Sequence, residues 1–225
     1  MVKIIPSTVF NINCDAIVNT VNCDGVMGAG LALEFSLRYP NMFDQYVNDC
    51  KSKIVKVGYL IKYEDDGQMI INFPTKISWR FPSNIKWIEQ GLRYFSQNYK
   101  NLNISSIAFP PLGTSNGGLS FELDVKPLMI KMLSDLDIDI YICVDPGYPD
   151  GEEKSMLDKF KNDDLNQVVK SLKIRKRQLM ALIINQKNIK RFFDIKNIDE
   201  IGLETYKKLF NYYYRSDKAV QTTLF

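Results

Sequence analysis

One lysine in this chain stands where a nucleophile or a general acid could act. Lys76 follows an apolar stretch at residues 69–71, which is typical of a buried strand, and its flanks include Phe73 and Ile77. Pro74 has no N–H to donate, so we expect the strand to end there, where α/β folds place their chemistry. Apolar neighbours desolvate an amine, which lowers its pKa and leaves more of it nucleophilic at neutral pH. The alternative is an ordinary surface lysine after a strand.

The absence of histidine narrows the other candidates. Without imidazole there is no Ser-His-Asp triad and no histidine metal site, so acid–base or nucleophilic work falls to Lys, Asp, Glu, Tyr, Cys or water. The four cysteines, Cys14, Cys23, Cys50 and Cys143, show no CxxC or other metal-binding spacing. We interpret them as reduced packing thiols of a cytoplasmic protein and expect neither a metal nor a cofactor.

Two glycine-rich stretches, residues 19–30 and 110–119, each follow an apolar strand and precede a helix. This arrangement aims backbone N–H groups and a helix amino end at a phosphate, and two such loops could grip a diphosphate from both sides. A Rossmann dinucleotide site is the alternative, but it needs a third glycine. Gly28-Ala29-Gly30 is followed by Leu-Ala-Leu, so that glycine is missing.

Strand and helix patterns alternate along the first two thirds of the chain. This alternation predicts an α/β sandwich around a largely parallel sheet. A turn at residues 64–67 would join two strands as a hairpin, and Ser83 is the expected N-cap of the helix that follows. The predicted strands lie within residues 1–10 and at 15–19, 55–61, 69–72, 104–109 and 139–144, and the predicted helices at 31–39, 41–51, 84–99 and 124–136.

The charge is uneven along the chain. Residues 1–150 hold 13 Lys and Arg against 16 Asp and Glu, a net charge of −3, whereas residues 151–225 hold 16 against 10, a net charge of +6. We therefore predict a first domain at residues 1–147 and a basic, mostly helical extension at 148–225. The basic extension suggests a nucleic-acid or acidic-protein partner, and a solvated helical face is the alternative. We find no secretion signal and no apolar run near the roughly 20 residues of a membrane span.

Three motifs together resemble a macrodomain, and more narrowly the DNA ADP-ribosyl glycohydrolase antitoxins (DarG), which oppose DNA ADP-ribosyltransferase toxins. The motifs are residues 13–22 with 25–32, Asn-Phe-Pro-Thr-Lys at 72–76 with Trp79-Arg80, and residues 110–119. The resemblance covers about residues 1–145. It implies a three-layer αβα macrodomain with a central mixed sheet and a cleft that binds ADP-ribose.

The resemblance also implies roles for individual residues. Asp15 would bind the adenine amine, Asn22 the distal ribose, and Lys76 would be catalytic. A carboxylate can accept from an exocyclic amine, although Asp15 could instead be a turn cap. The other expected substrate-binding residues are Thr75, the first-loop residues Gly25, Val26, Met27, Gly28, Ala29 and Gly30, and the second-loop residues Gly113, Thr114, Ser115, Asn116, Gly117, Gly118 and Leu119.

The expected reaction is hydrolysis of the bond between ribose C1 of ADP-ribose and a DNA base, with thymidine as the preferred guess. Lys76 could attack the anomeric carbon or, if protonated, donate to the departing base. Some related lysine-using macrodomain hydrolases pair the lysine with an aspartate in the second loop, but here that loop has no carboxylate before Glu122, so the partner of Lys76 stays unassigned. The alternatives are a macrodomain that binds ADP-ribose without cutting it, or a hydrolase of ADP-ribosylated protein or of O-acetyl-ADP-ribose.

The C-terminal residues suggest further partners. These antitoxins typically carry a toxin-binding domain, so a cognate ADP-ribosyltransferase toxin is one expected partner. Residues 221–225, Gln-Thr-Thr-Leu-Phe, resemble the motif that binds the bacterial sliding clamp. In such a peptide Leu224 and Phe225 would fill an apolar pocket while Gln221 fixes the register.

Overall fold

A computed structural model of the chain describes residues 1–222, with side chains described as far as Arg215. The chain divides into two compact units, Met1–Asp145 and the residues from Pro146 onward. The division falls inside a stretch, residues 145–153, that carries two prolines and two glycines. The first unit holds all three motifs.

The first unit is built on a six-stranded mixed sheet, as predicted. Its strand order is β1-β6-β5-β2-β4-β3, and β3 pairs antiparallel with β4 while all the other pairs are parallel. The carboxyl ends of five strands therefore lie along one edge. The strands are β1 (Val2–Pro6), β2 (Ala16–Val21), β3 (Ile61–Asp65), β4 (Gln68–Pro74), β5 (Ser106–Phe109) and β6 (Asp139–Val144).

Helices cover both faces of the sheet, which confirms the three-layer αβα arrangement. Successive residues of a strand point to opposite faces, so Ile17 packs into one core and Val18 into the other. The Ile17 core contains residues of α1 and α2, and the Val18 core contains residues of α3 and α4. The helices are α1 (Gly30–Arg38), α2 (Pro40–Lys51), α3 (Ile85–Asn98) and α4 (Lys126–Leu133), the last preceded by a π-helical turn at Phe121–Val125.

The predicted strand at residues 55–61 is wrong, because the hairpin turn places the strand later. Asp66 and Gly67 both have positive φ (51° and 74°), and Asp65 pairs with Gln68. A two-residue turn of this kind requires its strands to flank it directly. Strand β3 therefore ends at Asp65, next to the turn, and covers Ile61–Asp65.

The predicted N-cap of α3 is also wrong. Asn84 caps the helix, because its side-chain oxygen accepts from the backbone N–H of Lys86 at 2.9 Å. The backbone N–H of Ser83 instead donates to the carbonyl oxygen of Gly117 at 2.8 Å. Ser83 thereby joins the entry of α3 to the second glycine-rich stretch.

The second unit is helical. Aromatic rings fill its core, where Phe160, Phe192 and Tyr213 meet edge to face with centroids 5.7–6.2 Å apart. A buried ion pair accompanies them, in which Arg191 donates from Nε and Nη2 to the Glu153 carboxylate at 2.6–2.9 Å. Its elements are α5 (Gly151–Asn162), α6 (Leu165–Ser171), α7 (Lys176–Asn185), a 3-10 helix (Phe192–Asn197) and α8 (Leu203–Thr222).

The side chain of Gln221 and residues 223–225, which include Leu224 and Phe225, lie outside the described part of the chain, so the sliding-clamp motif stays a prediction. Through residue 222, no helix combines the length and the apolar character needed to cross a bilayer.

Candidate active site

The three motifs follow three neighbouring strands. The first loop (residues 22–30) follows β2, the lysine segment (residues 75–84) follows β4, and the second loop (residues 110–119) follows β5. Strand β2 lies between β5 and β4 and runs parallel to both. All three stretches therefore leave the same edge of the sheet side by side, which is where α/β proteins bind their ligands.

Lys76 connects the lysine segment to the second loop. Its Nζ donates to the carbonyl oxygen of Asn116 at 2.8 Å. Burial lowers the pKa of the Lys76 amine, as its apolar flanks predict. The Asn116 side chain in turn lies against the first loop, since a Cβ at Gly30 would stand only 3.0 Å from its Nδ2. Residues of all three motifs are thus linked through Asn116, whose carbonyl oxygen contacts the partly desolvated amine.

Asn22 shapes the first loop. Its Nδ2 donates to the carbonyl oxygen of Val26 at 2.6 Å, and its Oδ1 accepts from the backbone N–H of Asp24 at 2.9 Å. The Tyr46 hydroxyl adds a bond to the Asn22 carbonyl oxygen at 2.8 Å. The predicted contact of Asn22 with a ribose stays a prediction. Helix α1 begins where this loop ends, at Gly30, so its first N–H groups face the same edge.

The second loop is closed by its own backbone. Leu119 N–H donates to the Gly113 carbonyl oxygen at 3.2 Å, and Gly117 N–H donates to that of Thr114 at 2.8 Å. Gly113 and Gly118 have φ values of 69° and 81°, which side chains disfavour. The loop therefore holds a fixed curve, as a phosphate cradle made of backbone N–H groups requires.

The first loop also holds the lysine segment, through a residue that sequence reasoning missed. The Asp24 carboxylate accepts from the Ser78 hydroxyl at 2.6 Å and from the Trp79 N–H at 3.2 Å. Beside it, Cys23 N–H donates to the Ile77 carbonyl oxygen at 3.1 Å. The sequence offered one signal for this role of Asp24, namely an acid within a loop of small and apolar residues. Asp24 is best described as a positioning residue for the segment that carries Lys76.

Ser83 fastens the other end of the lysine segment. Besides its backbone bond to Gly117, its side chain packs so closely that a Cβ at Gly117 would lie 2.5 Å from Ser83 Oγ. That hydroxyl is buried and has no hydrogen-bond partner among the described residues. The lysine segment thus contacts the second loop at both ends, through Lys76 and through Ser83.

Thr75 lies in the interior beneath the site. It is 2% exposed, its N–H donates to the Val21 carbonyl oxygen at 2.9 Å, and its hydroxyl lies 3.4 Å from the same oxygen. Below it, Asn19 and Asn72 form a buried amide pair across β2 and β4, with Nδ2 of Asn19 2.9 Å from Oδ1 of Asn72. These bonds hold the exits of β2 and β4 together, directly beneath Lys76.

Asp15 lies elsewhere. It precedes β2 and therefore stands at the amino end of that strand, on the edge opposite the loops. Its carboxylate accepts from the N–H and hydroxyl of Ser105, both at 2.7 Å, and from the N–H of Ser106 at 3.0 Å. These bonds hold the pKa of Asp15 below its ordinary value. This position does not fit the predicted contact with an adenine amine, and the turn-cap alternative fits better.

The thiols do not compete with Lys76 as nucleophiles. Burial raises the pKa of Cys14 and of Cys50 to about 11, that of Cys143 to about 12, and also that of Cys23, so thiolate is scarce at neutral pH. Among the side chains described, through Arg215, no group of three from His, Cys, Asp or Glu is placed to hold a metal ion.

In a comparison with known protein families, residues 18–126 match the Macro domain model. A curated relative, the DNA ADP-ribosyl glycohydrolase of Mycobacterium tuberculosis, is 47% identical over 135 residues, and the match covers 56% of this chain and 38% of the relative. A fusion protein of DNA ADP-ribosyl transferase and DNA ADP-ribosyl glycohydrolase from Thermosipho africanus is 37% identical over 152 residues, and that match covers 58% of this chain and 39% of the relative. The chain thus spans less than half the length of these curated relatives.

Two solved structures share the fold of the first unit at substantial identity. The macrodomain of Mycobacterium tuberculosis DarG has a TM-score of 0.61 and 39% identity, over 65% of this chain and 98% of that one. Thermosipho africanus DarTG, solved in complex with ADP-ribose, has a TM-score of 0.61 and 32% identity, over 67% of this chain and 43% of that one. Both matches extend over more of the chain than the family model does.

Proposed function

The chain belongs to the macrodomain family, in the branch of the DarG macrodomains, and from this premise we propose that it hydrolyses the bond between ADP-ribose and a DNA base. The observation that carries the proposal is the position of Lys76, whose partly desolvated amine lies where the two glycine loops meet. A protein that only binds ADP-ribose needs the two loops but has no use for that amine.

The two loops would hold the diphosphate of ADP-ribose between them. The amino end of α1 and the backbone N–H groups of residues 25–30 would face it from one side, and the second loop, residues 113–119, from the other. The N–H groups of residues 117–119 already bond within that loop, so its contacts to the diphosphate would come from residues 113–116. Asn22 would reach the distal ribose and Thr75 would support that wall of the cleft. With the diphosphate fixed, the anomeric carbon of the distal ribose is brought to Lys76, which supplies the proximity that catalysis needs.

Lys76 acts as the nucleophile in this proposal. Its neutral amine forms a bond to C1 of the ribose, and the bond from C1 to the base breaks with its electron pair going to the base. The amine then gives up a proton to solvent, and water hydrolyses the sugar–lysine bond to release ADP-ribose and restore the lysine. The transition state has oxocarbenium character, which the adjacent carbonyl dipole of Asn116 helps to stabilise.

A thymine leaving group explains why no carboxylic acid is needed beside Lys76. The ring nitrogen of thymine that is free for ADP-ribosylation lies between two carbonyl groups, so the departing anion is delocalised over both oxygens. Such a base leaves without prior protonation. The first carboxylate after the second loop is Glu122, and its oxygen is paired with Lys126 at 2.8 Å.

The nucleophilic role predicts both a pH dependence and a covalent intermediate. Because only the neutral amine attacks, kcat/KM should rise with pH through a pKa below the ordinary 10.5 of lysine and level off above it. Sodium cyanoborohydride should reduce the open-chain form of the sugar–lysine adduct, so peptide mass spectrometry should find ADP-ribose attached to Lys76. A rate that falls with rising pH, with no adduct, would instead assign Lys76 as the proton donor.

The substrate is tested by offering the wild-type protein three ADP-ribosylated compounds. These are single-stranded DNA with one ADP-ribosylated thymidine, an ADP-ribosylated protein, and O-acetyl-ADP-ribose, with release of ADP-ribose measured for each. We expect cleavage of the DNA with the highest kcat/KM. Cleavage of none of them, with ADP-ribose bound in calorimetry, would make the protein a reader of ADP-ribose.

The partners follow from the same proposal. Because a Thermosipho africanus relative joins a DNA ADP-ribosyl transferase to the glycohydrolase in one chain, we propose a cognate transferase toxin whose product this protein removes. The sliding clamp remains a proposal that rests on the sequence of residues 221–225 alone. We propose a cytoplasmic location, where DNA and both proposed partners would be accessible to the protein.

A further inference from the structure

The lysine segment presents large apolar side chains to solvent right beside Lys76. Ile77, Trp79 and Phe81 are 52%, 51% and 62% exposed, although each has a side chain that proteins usually bury. Three such residues within five positions form an exposed apolar patch next to the proposed active site. A patch of this kind at a site rim indicates contact with a ligand or partner.

The backbone that carries these side chains is held in place. Phe81 N–H closes a turn onto the Ser78 carbonyl oxygen at 3.2 Å, and the Asp24 carboxylate accepts from the Ser78 hydroxyl and from Trp79 N–H. The side chains of Trp79 and Phe81 therefore project from a fixed turn. A rigid aromatic surface loses little entropy when a flat ligand stacks on it.

The patch is also cationic. The Arg80 guanidinium lies over the Trp79 ring, 4.8 Å from its centroid, and Lys86 is exposed at the start of α3. From residue 75 to residue 88 the chain contains Lys76, Arg80 and Lys86 and no acid, so these cations outnumber the Asp24 carboxylate that contacts the segment. Aromatic rings interleaved with cations are the surface that single-stranded nucleic acids bind, through base stacking and phosphate contacts.

We propose that residues 77–81 form a stacking platform for unpaired bases that flank the ADP-ribosylated nucleotide, with Arg80 facing the DNA backbone. The inference rests on the proposed function and assigns the residues that would contact the DNA beside the modified nucleotide. The distance along the chain is suitable: Trp79 lies three residue steps after Lys76, and three steps span at most about 10 Å. That is the length of about three stacked nucleotides at about 3.4 Å each.

The test compares substrates with and without flanking bases. Wild-type protein should have a KM about tenfold lower for an ADP-ribosylated single-stranded 12-mer than for the ADP-ribosylated mononucleotide. Trp79→Ala combined with Phe81→Ala should abolish that difference while kcat and the mononucleotide KM stay unchanged. Ile4→Ala is the control: Ile4 is 43% exposed, on edge strand β1, about 19 Å from β4 across four strand spacings. It should leave both KM values unaltered.

A second measurement tests whether the platform binds DNA, without requiring hydrolysis. The chain has two tryptophans, so Trp87→Phe leaves Trp79 as the only fluorophore of its kind. Titration of this variant with an unmodified oligothymidylate should quench its fluorescence, more weakly as the salt concentration rises. Quenching in a protein that hydrolyses nothing would remove the proposed function and support the platform.

Three results would overturn the platform while the proposed function stands. The first is cleavage of the 12-mer and the mononucleotide with equal KM, together with no quenching. The second is a double variant whose KM rises equally for both substrates, which would show a structural role for the two side chains. The third is a double variant that changes only the KM for an ADP-ribosylated protein, which would make the patch a protein-binding surface.

Discussion

Replacing Lys76 with alanine should lower kcat on ADP-ribosylated DNA by about a thousandfold or more, since the variant loses the group that attacks the anomeric carbon. Affinity for ADP-ribose should change little, because the proposed contacts to the diphosphate come from backbone N–H groups of the two loops. Gel analysis of the DNA product gives the rate, and calorimetry with ADP-ribose gives the affinity. A loss confined to kcat separates a catalytic residue from one that only binds.

Two further substitutions sharpen this test. Lys76→Arg keeps the positive charge but cannot act as an amine nucleophile, so it should be as inactive as alanine. Lys76→Met keeps the apolar stem and should match the wild type in unfolding midpoint or exceed it, because a lowered amine pKa means that burial of the charge opposes folding at neutral pH. Lys131→Ala, an exposed lysine on α4, controls for the loss of one charge. Wild-type rates in Lys76→Ala would show that the protein cleaves this substrate without Lys76, and the proposed mechanism would fail.

The convergence of the three motifs was predictable because each one carries a local signal for the end of a parallel strand. Pro74 ends β4, and glycines follow β2 and β5. The carboxyl ends of parallel strands must share an edge, so the loops had to lie on one side. That β2 lies between β5 and β4 was not predictable from one sequence, since the strand order depends on packing between distant segments.

Asp15 shows how closeness in sequence misleads. It adjoins the motif that leads into the first loop, but it stands at the other end of β2, and six strand residues span about 20 Å. The contacts that fix the lysine segment were equally hidden. Asp24 and Ser78 are 54 positions apart, and nothing in the residue types pairs that acid with that hydroxyl.

Gly91 carries information that only the packing reveals. A glycine inside α3 looks like a weak helix position, which alanine should improve by about 1 kcal/mol. In the structure, however, a Cβ at Gly91 would lie 2.3 Å from Cζ of Phe73, and Phe73 is fully buried. Glycine is therefore required where α3 crosses the Phe73 ring of β4. Phe73 lies three positions before Lys76 in the sequence.

We expect Gly91→Ala to lower the free energy of unfolding of the first unit by about 2 kcal/mol, because an overpacking cost of about 3 kcal/mol outweighs the helix gain of about 1 kcal/mol. Urea unfolding followed by tryptophan fluorescence reports on this unit, since Trp79 and Trp87 both lie in it. Gln97→Ala, at an exposed position of the same helix, should be close to neutral. An alanine at Gly91 that stabilised the protein would mean that β4 and α3 are not packed as described.

A double substitution distinguishes the steric clash between an alanine at position 91 and Phe73 from a general destabilisation of α3. Phe73→Leu alone leaves a cavity and should destabilise the unit, but that cavity makes room for the methyl group that Gly91→Ala introduces. The two changes together should cost less than their sum, by about 1 kcal/mol or more, as residues in direct contact do. Turnover should follow the same pattern, because a shift of β4 by about 1 Å at Phe73 displaces Lys76 and costs on the order of a hundredfold in rate. Gly91 thus affects catalysis indirectly. By leaving room for the Phe73 ring, it fixes the position of β4 and therefore that of Lys76, which follows β4.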